Sequence, residues 1–199
     1  AMRAVVAERY GPPEVMRLTE KARPTAGPKE VRVRVLASAV TQSDIFIRSA
    51  RVNPLLQIPF RLMIGLTKPR NPILGFVFSG VIDSVGSEAK RFNPGEEVFG
   101  MTGFRLGAYA EYRAMPETDS RRHGTLARKP RGISHVDATA AVYGGSLALQ
   151  YVDMARVRPG DNLLLYGASG TSGTFALQYA RSLGATVTAV SSGANVEFL

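Results

Sequence analysis

A glycine-rich segment is the part of the sequence whose residue types and spacing most directly suggest chemistry. It reads Gly-Ala-Ser-Gly-Thr-Ser-Gly from Gly167 to Gly173. Because Gly170 has no side chain, a pyrophosphate can approach its backbone, and Gly173 allows a helix to pack closely on the preceding strand. The free N–H groups and the dipole at the start of such a helix favour a phosphate. The candidate ligand-binding residues in this loop are Ala168, Ser169, Gly170, Thr171, Ser172 and Gly173.

The sequence on either side of this loop has the pattern of a strand, a helix and a second strand. Residues Asn162–Tyr166 form a short apolar run, Thr174–Leu183 is amphipathic, and Thr186–Val190 is rich in β-branched residues. A glycine-rich turn inside a strand–helix–strand unit of about 30 residues is typical of dinucleotide binding. Ala168 stands where the usual G-x-G-x-x-G pattern has its first glycine. The flanking elements nevertheless favour a dinucleotide site over a simple tight turn.

Residues at the end of the second strand predict which dinucleotide is bound. An acidic side chain about 20 residues after the loop binds the ribose 2′-hydroxyl of NAD, but here the chain reads Ser191–Ser192–Gly193–Ala194–Asn195. There is no carboxylate in this stretch to repel a 2′-phosphate, and its hydroxyl and amide groups can donate hydrogen bonds to one. We therefore expect NADP(H), with the alternative that these residues only form the next turn. The candidate cofactor-binding residues outside the loop are Ser146, Ser191, Ser192, Gly193 and Asn195.

The chain before this unit reads as short strands separated by turns. Apolar and charged residues alternate in Val31–Val40, Phe76–Val85 is an apolar run between glycines, and Glu97–Met101 follows a Pro-Gly turn. This spacing predicts a compact β-barrel or sandwich with short helices inserted. The segment from Val52 to Asn71 is apolar, basic and rich in proline, which predicts an irregular stretch. It is interpreted either as a lid or wall of a binding site or as surface packing.

The pattern becomes helical after residue 131, where we place the domain boundary. Ser134 and Asp137 have the spacing of a capping box, which predicts the start of a helix. Gly144–Gly145 is expected to interrupt that helix, and a second helical stretch is expected from Ser146 to Val157, before Arg-Pro-Gly. The sequence therefore predicts an α/β protein with a first domain over 1–131 and a second over 132–199.

Composition and charge exclude several classes of function. The chain has two histidines and no cysteine. Because cysteine is absent, the chain has no disulfide framework, no thiolate nucleophile and no thiolate metal site. Its net charge is +9, but residues 1–132 hold 22 Lys and Arg against 12 Asp and Glu, and residues 133–199 hold 3 against 4. The arginines are scattered rather than interleaved with aromatic residues, so a nucleic-acid groove is disfavoured. No apolar run is long enough for a membrane helix, and the sequence is interpreted as cytoplasmic.

Several motifs taken together resemble the medium-chain dehydrogenase/reductase superfamily, specifically its zinc-free, quinone oxidoreductase-like branch. They are Met2–Val6 with Tyr10–Val15, Pro94–Gly100, Gly107–Tyr112, Leu147–Gln150, Val157–Asp161 and the glycine-rich loop. The resemblance implies a GroES-like β-barrel catalytic domain followed by a Rossmann dinucleotide-binding domain. It also implies that hydride passes from NADPH to a small quinone or α,β-unsaturated carbonyl in a cleft between these domains.

The positions of the zinc ligands of metal-dependent relatives carry other residues here. The resemblance places Thr41 and Phe76 where those relatives have Cys and His, and Val142 near the third ligand. We therefore expect no catalytic metal. The resemblance implies that Thr41, Gln42 and Ser43 line the nicotinamide end of the site, with packing at a strand end as the alternative for Thr41 and Ser43. Quinone reductases often have Tyr at the position of Phe46, so no general acid is assigned.

The end of the chain suggests that only part of the Rossmann domain is present. A complete Rossmann domain has two βαβαβ halves, whereas this sequence stops soon after its second predicted strand. We expect a fragment of a longer protein, and the resemblance implies that this protein is a homodimer. Two alternatives to a quinone or enone reductase remain, namely an enoyl-thioester reductase and a non-catalytic relative that binds nucleotide or RNA.

Overall fold

The computed structural model describes residues 1–199, apart from the side chain of Pro54. Two compact units are present, Ala1–Thr139 and Ala140–Leu199. The domain boundary that we place at 131–132 lies earlier in the chain and stays a prediction. Strands and helices are both present, in agreement with the predicted α/β class.

The first unit is built mainly from seven strands. In chain order they are β1 (Met2–Ala7), β2 (Met16–Lys21), β3 (Glu30–Ala39), β4 (Val77–Val85), β5 (Glu97–Met101), β6 (Tyr112–Pro116) and β7 (Thr125–Arg128). Strands β1 and β2 form an antiparallel hairpin, and the others form an antiparallel sheet in the order β6-β3-β4-β5-β7. The three strands predicted over 31–40, 76–85 and 97–101 are therefore confirmed, with shifts of at most one residue at their ends.

The alternation of apolar and polar side chains along these strands produces the core of the first unit. Val31 and Val33 are fully buried, while the arginines between them point to the other face, because successive side chains of a strand point to opposite faces. The same cluster is completed by apolar side chains from β4 to β7 and the intervening loops, including Phe78, Ile82, Phe92, Val98, Met115 and Leu126. This sheet provides the rigid support for the loops and helices that follow its strands.

Two short helices lie between β3 and β4. Helix α1 spans Gln42–Ser49, and helix α2 spans Gln57–Ile64 after a 3₁₀ turn at Pro54–Leu56. The prediction of an irregular stretch over residues 52–71 is therefore wrong for its middle. Pro59 lies in the first turn of α2. The N–H groups of this turn have no acceptor within the helix, so the missing N–H of proline costs no helical hydrogen bond and the helix tolerates it.

Helix α3 spans His135–Met154 and leads into the elements of the second unit. The predicted cap at Ser134 is confirmed, since the N–H of Asp137 donates to the Ser134 hydroxyl over 3.0 Å and that hydroxyl donates to the Asp137 carboxylate over 2.6 Å. The predicted interruption at Gly144–Gly145 is wrong because α3 continues through both glycines. The helix ends before the predicted Val157, since Arg156 adopts a left-handed φ of 54°.

The second unit contains the predicted strand–loop–helix–strand arrangement. Strand β8 (Asn162–Tyr166) pairs in parallel with β9 (Thr186–Val190), and helix α4 (Thr171–Ser182) connects them. Both strands are confirmed as predicted, whereas α4 begins three residues earlier than expected, within the glycine-rich loop. Ala148 and Val152 of α3 pack with Ala176 and Ala180 of α4 in the core of this unit.

None of the helices in the described part of the chain has the combination of length and apolar character that crossing a bilayer requires.

Candidate functional site

The glycine-rich loop is held against the end of β9 by backbone hydrogen bonds. The N–H groups of Gly167 and Ala168 both donate to the carbonyl oxygen of Val190, over 2.9 and 3.0 Å. Gly167 has a φ of +77°, in the left-handed region that favours glycine. The loop therefore lies at the carboxyl ends of the two parallel strands, which is where open α/β sheets bind ligands.

The start of helix α4 exposes N–H groups that no protein atom satisfies. Gly170 is the N-cap residue and has no side chain to accept a hydrogen bond. Thr174 is the first residue of α4 whose N–H bonds back, to the Gly170 carbonyl over 2.9 Å. Among the described residues, the N–H groups of Thr171, Ser172 and Gly173 have no acceptor. Such a terminus, with the positive end of the helix dipole, suits a phosphate group.

The glycines of the loop have separate structural roles. A Cβ atom at Gly173 would overlap the carbonyl oxygen of Gly167, so only glycine lets α4 approach the loop this closely. A Cβ atom at Gly170 would instead lie 3.4 Å from that oxygen and meet nothing else within 4 Å. Gly170 thus leaves open space in front of the free N–H groups. The residues present fit the pyrophosphate of a dinucleotide.

Two of the residues predicted to determine the nucleotide preference, Ser192 and Asn195, come together with Ser169 of the glycine-rich loop. The amide nitrogen of Asn195 lies 3.2 Å from the hydroxyl of Ser169 and 3.2 Å from that of Ser192. The 3₁₀ turn Gly193–Asn195 brings Asn195 back toward the loop, while the Ser191 hydroxyl donates to the Ser192 carbonyl oxygen. These groups form a neutral polar cluster at the carboxyl end of β9. Their role in binding a 2′-phosphate stays a prediction.

Ser146 makes local hydrogen bonds within α3. Its hydroxyl donates to the carbonyl oxygen of Val142 over 2.5 Å and lies 3.2 Å from that of Tyr143. The close approach to the loop is made instead by Gly144, where a Cβ atom would lie 2.5 Å from the methyl group of Thr171. This explains why the glycines do not break the helix. Each glycine costs about 1 kcal/mol in intrinsic helix propensity, but Gly144 lets α3 pack against the start of α4.

In the first unit, Thr41 caps helix α1. Its hydroxyl donates to the Asp44 carboxylate over 2.7 Å, and the Asp44 N–H points back to that hydroxyl. The Thr41 N–H also donates to this carboxylate, which completes a capping box. Gln42 is exposed at the first position of the helix. Of the three predicted catalytic residues, only Ser43 lines the cavity described below, and the catalytic roles of all three stay predictions.

Asp44 connects this helix to the loop before β4, a role the sequence analysis did not assign. The side chain is 3% exposed, and its second carboxylate oxygen accepts a hydrogen bond from the Gly75 N–H over 3.2 Å. Burial, followed by the charge of Asp44 and a hydrogen bond to it, raises the pKa of Tyr109. The Thr-x-x-Asp spacing of the capping box could have indicated the cap, but the contact with Gly75 joins residues far apart in the sequence.

A cavity of about 290 Å³ lies next to α1 in the first unit. Its walls are mostly apolar and include Phe46, Ile47, Phe60, Met63, Ile64, Phe76, Phe104 and Leu106. Ser43 also lines this cavity, as does Phe76, which is at the position compared with a zinc-binding histidine of metal-dependent relatives. Helix α2 and the residues after it form one wall, as one interpretation of residues 52–71 expected. The size is near the lower end for pockets that bind small organic ligands.

The polar lining of the cavity is basic or neutral. It consists of Ser43, Arg70, Asn71 and Arg105, with backbone from Gly103. Asn71 donates to the carbonyl oxygen of Arg105 over 2.7 Å, and one Arg70 nitrogen donates to the carbonyl oxygen of Leu62 over 2.6 Å. The cavity therefore suits an apolar molecule with a polar end.

A second cluster has the composition of a hydrolase triad but a structural role. Ser79 lies 2.7 Å from Nδ1 of His135, and Nε2 of His135 lies 3.2 Å from the Glu97 carboxylate. The Ser79 side chain is fully buried, and its hydroxyl is also 2.9 Å from the carbonyl oxygen of Val98. Ser79 does not line the cavity next to α1. The cluster anchors the start of α3 to the sheet.

No group of three His, Cys, Asp or Glu side chains in the described part of the chain is arranged to hold a metal ion. Of the positions compared with zinc ligands, Thr41 is the helix cap, Phe76 is a cavity wall and Val142 is buried within α3. None of these side chains offers the thiolate or imidazole that zinc prefers.

Comparison with known proteins gives consistent matches. The model of the alcohol dehydrogenase GroES-like domain matches residues 27–122. The chain is 33% identical to a quinone oxidoreductase of Pseudomonas aeruginosa over 88% of its length, and 30% identical to a mitochondrial NAD(P)H oxidoreductase of Mus musculus over 96%. A solved quinone oxidoreductase of Coxiella burnetii superposes on 99% of the chain, with a TM-score of 0.82 and 27% identity.

The chain spans about half the length of these relatives, covering 48% and 49% of the two sequences and 58% of the solved chain. The matches confirm the expected fold class. It is α/β overall, with a GroES-like domain followed by part of a Rossmann domain.

Proposed function

The chain belongs to the medium-chain dehydrogenase/reductase superfamily, in its quinone oxidoreductase-like branch, and from this premise we propose an NADPH-dependent oxidoreductase. The proposed reaction is hydride transfer to a quinone or an α,β-unsaturated carbonyl without a catalytic zinc ion. The proposal applies to the whole protein from which this sequence comes. Its proposed substrate is a small molecule, in keeping with its similarity to quinone oxidoreductases.

The observation that carries this proposal is the uncapped start of α4. The free N–H groups of Thr171, Ser172 and Gly173 face open space at Gly170, and they offer a phosphate the hydrogen bonds that the protein itself does not make. The neighbouring Ser169, Ser192 and Asn195 supply neutral donors without a carboxylate among them. This arrangement favours NADPH over NADH, since a 2′-phosphate would meet no negative charge there.

When bound, NADPH would supply the hydride. The role of the first unit would be to hold and orient the acceptor, because a correctly positioned reactant needs less activation than a free one. The apolar cavity would exclude water from a conjugated ring, and Ser43, which lines the cavity, would donate a hydrogen bond to a carbonyl oxygen of the acceptor. The Thr41–Asp44 capping box fixes the helix that carries Ser43.

Zinc independence is proposed from residue chemistry. Thr41, Phe76 and Val142 cannot replace two thiolates and an imidazole as zinc ligands. Without a Lewis acid, the acceptor must delocalise the arriving charge through its own conjugation. Quinones and enones do so, whereas a simple alcohol–ketone pair does not.

The experiment that tests the proposal is a titration of the chain with NADPH and with NADH, followed by calorimetry. We expect binding of NADPH at least about tenfold tighter than of NADH, equivalent to about 1.4 kcal/mol. Turnover of NADPH with a quinone, measured on a longer chain that includes the rest of the Rossmann domain, tests the reaction. Failure of both chains to bind either nucleotide would overturn the proposal.

An enoyl-thioester reductase is a second candidate, which the basic lining of the cavity favours. Arg70 and Arg105 could bind the phosphate of a carrier arm, and one relative, 29% identical over 81% of the chain, is a mycocerosic acid synthase-like polyketide synthase. Comparing NADPH oxidation with an enoyl thioester, a simple enone and a quinone distinguishes the two. A clear preference for the thioester would replace the first proposal by the second.

The homodimer and the cytoplasmic location expected from the sequence stay predictions. Light scattering of the longer protein and cell fractionation test them.

A further inference from the structure

The cavity of the first unit combines an apolar body with an excess of positive charge. Arg70 and Arg105 both line it, and none of its lining residues is Asp or Glu. The ion pairs found among the described residues involve other arginines and lysines, and neither Arg70 nor Arg105 takes part in one. The two guanidinium groups are exposed, so their charges are available to a ligand that enters the cavity.

A third guanidinium group lies behind this lining. Arg113 is 7% exposed; it donates to the carbonyl oxygen of Thr102 over 3.2 Å, and its Nε has no acceptor within the described atoms. A Cβ atom placed on Gly107 would lie 2.5 Å from an Arg113 terminal nitrogen and 3.4 Å from the amide nitrogen of Asn71. Since Asn71 lines the cavity, the buried guanidinium group stands close behind its wall.

This buried cation is poorly compensated. Burial, and then the charge of Arg105, lower the pKa of Arg113 to about 10, and Glu30 only partly opposes this. The Glu30 carboxylate also accepts a hydrogen bond from the Gly27 N–H over 3.0 Å. A buried charge without a matching partner is costly. The like charges of Arg105 and Arg113 add to that cost, and an anion bound near Arg105 would reduce it.

We propose that the substrate of this site is a hydrophobic quinone or enone that carries an anionic substituent such as a carboxylate, sulfonate or phosphate. The conjugated ring would occupy the apolar body of the cavity, against side chains such as Phe46 and Phe76, and the oxyanion would bind at Arg70 and Arg105. Guanidinium groups suit this role because they offer paired N–H donors to planar or tetrahedral oxyanions. This inference rests on the proposed function for the reactive part of the substrate, but its anion preference is tested by binding alone.

The test compares two probes of nearly equal shape, 1,4-naphthoquinone-2-sulfonate and 1,4-naphthoquinone, in calorimetric titrations of the full chain. The chain has no cysteine, so the quinones form no thiol adducts. We expect the sulfonate to bind at least about tenfold tighter at low salt. The advantage should fall as salt is raised, because the arginines are exposed and their charges are screened.

Substitution of the arginines connects this preference to the cavity. The double variant Arg70→Gln with Arg105→Gln should bind both probes with equal affinity, within about twofold. The matched control Arg131→Gln removes an exposed arginine that does not line the cavity, and it should keep the preference. Equal affinities in the unchanged chain, or a preference that survives the double substitution, would overturn the inference. Failure of the proposed function would appear separately, as a lack of NADPH oxidation with either quinone in the longer protein.

Discussion

At the scale of single residues, the buried Asp44 carboxylate of the first unit accepts three hydrogen bonds. One carboxylate oxygen accepts from both the N–H and the hydroxyl of Thr41, and the other accepts from the Gly75 N–H. Asn in its place has only one accepting oxygen, so at least one buried donor would lose its partner. We expect Asp44→Asn to lower the free energy of unfolding by about 1–3 kcal/mol, as measured by urea denaturation.

The matched control is Asp137→Asn at the exposed N-terminal cap of α3. Its hydrogen bonds with Ser134 have similar lengths, but solvent can replace them. The expected loss is under about 1 kcal/mol. Equal losses in the two variants would show that burial of Asp44 does not matter.

Asp83 should make part of the stability depend on pH. Burial would raise the pKa of its carboxyl, but hydrogen bonds from Arg32 and Arg23 outweigh this effect and lower it. The folded state therefore favours the charged form. This stabilisation is present above about pH 4, the range of an unfolded Asp, and is lost as pH falls through the lower folded value.

We therefore expect Asp83→Asn to be less stable than the unchanged chain at pH 7 and to lose less stability between about pH 4 and pH 2. Denaturation at a series of pH values measures this difference. Glu88→Gln, at an exposed ion pair with Lys29 of 3.6 Å, is the control and should follow the unchanged chain. An Asp83→Asn curve parallel to that of the unchanged chain would contradict the prediction.

Asn195 is expected to influence the choice of nucleotide. Its amide nitrogen lies between the Ser169 and Ser192 hydroxyls, so Asn195→Asp would place a carboxylate where a 2′-phosphate is expected. We expect the ratio of the NADPH and NADH dissociation constants to shift at least about tenfold toward NADH. Asn195→Ala removes the amide without adding charge and should shift this ratio less. An unchanged ratio in the Asp variant would place the 2′-phosphate elsewhere.

At the scale of elements, the two glycines at the start of α4 are expected to have different roles, Gly170 in ligand binding and Gly173 in folding. Gly170 has ordinary φ and ψ values of −74° and 165°, and a Cβ atom there meets little. We expect Gly170→Ala to change the free energy of unfolding by under about 1 kcal/mol. It should weaken NADPH binding at least about tenfold, because the methyl group would occupy the space beside the free N–H groups.

Gly173→Ala is the opposite case. Its Cβ atom would overlap the Gly167 carbonyl oxygen, so α4 must move away from the loop and the unfolding free energy should fall by about 1–3 kcal/mol. Thermal denaturation and calorimetry of both variants check the pair. Strong destabilisation by Gly170→Ala would mean that this glycine is needed for folding rather than for ligand approach.

At the scale of the whole molecule, we expect that the net charge of +9 does not form a nucleic-acid surface. Several basic side chains are paired with carboxylates on separate parts of the first unit, for example Arg3 with Glu111 and Arg128 with Glu96. We expect single-stranded RNA to bind no tighter than about 10⁻⁶ M at roughly 0.15 M salt, the range of non-specific binding. A fluorescence anisotropy titration measures this. Submicromolar binding at that salt would favour the RNA-binding alternative.

Local sequence patterns determined much of this protein. Strands β5, β8 and β9 have the bounds predicted from a preceding turn, an apolar run and β-branched residues, respectively, and the glycine-rich loop lies between a strand and a helix as its spacing required. These features depend on neighbours within a few residues, whose preferences can be read directly. The same holds for the cap at Ser134.

Tertiary contacts decided the rest. The sequence predicted a break at Gly144–Gly145, but packing of α3 on the start of α4 outweighs the low helix propensity of glycine. The link from Asp44 to Gly75, the cavity walls and the buried Arg113 all join residues distant in the sequence. Such contacts depend on how the chain folds back on itself, because burial and hydrogen-bond partners are set by neighbours in space, and no local spacing encodes them.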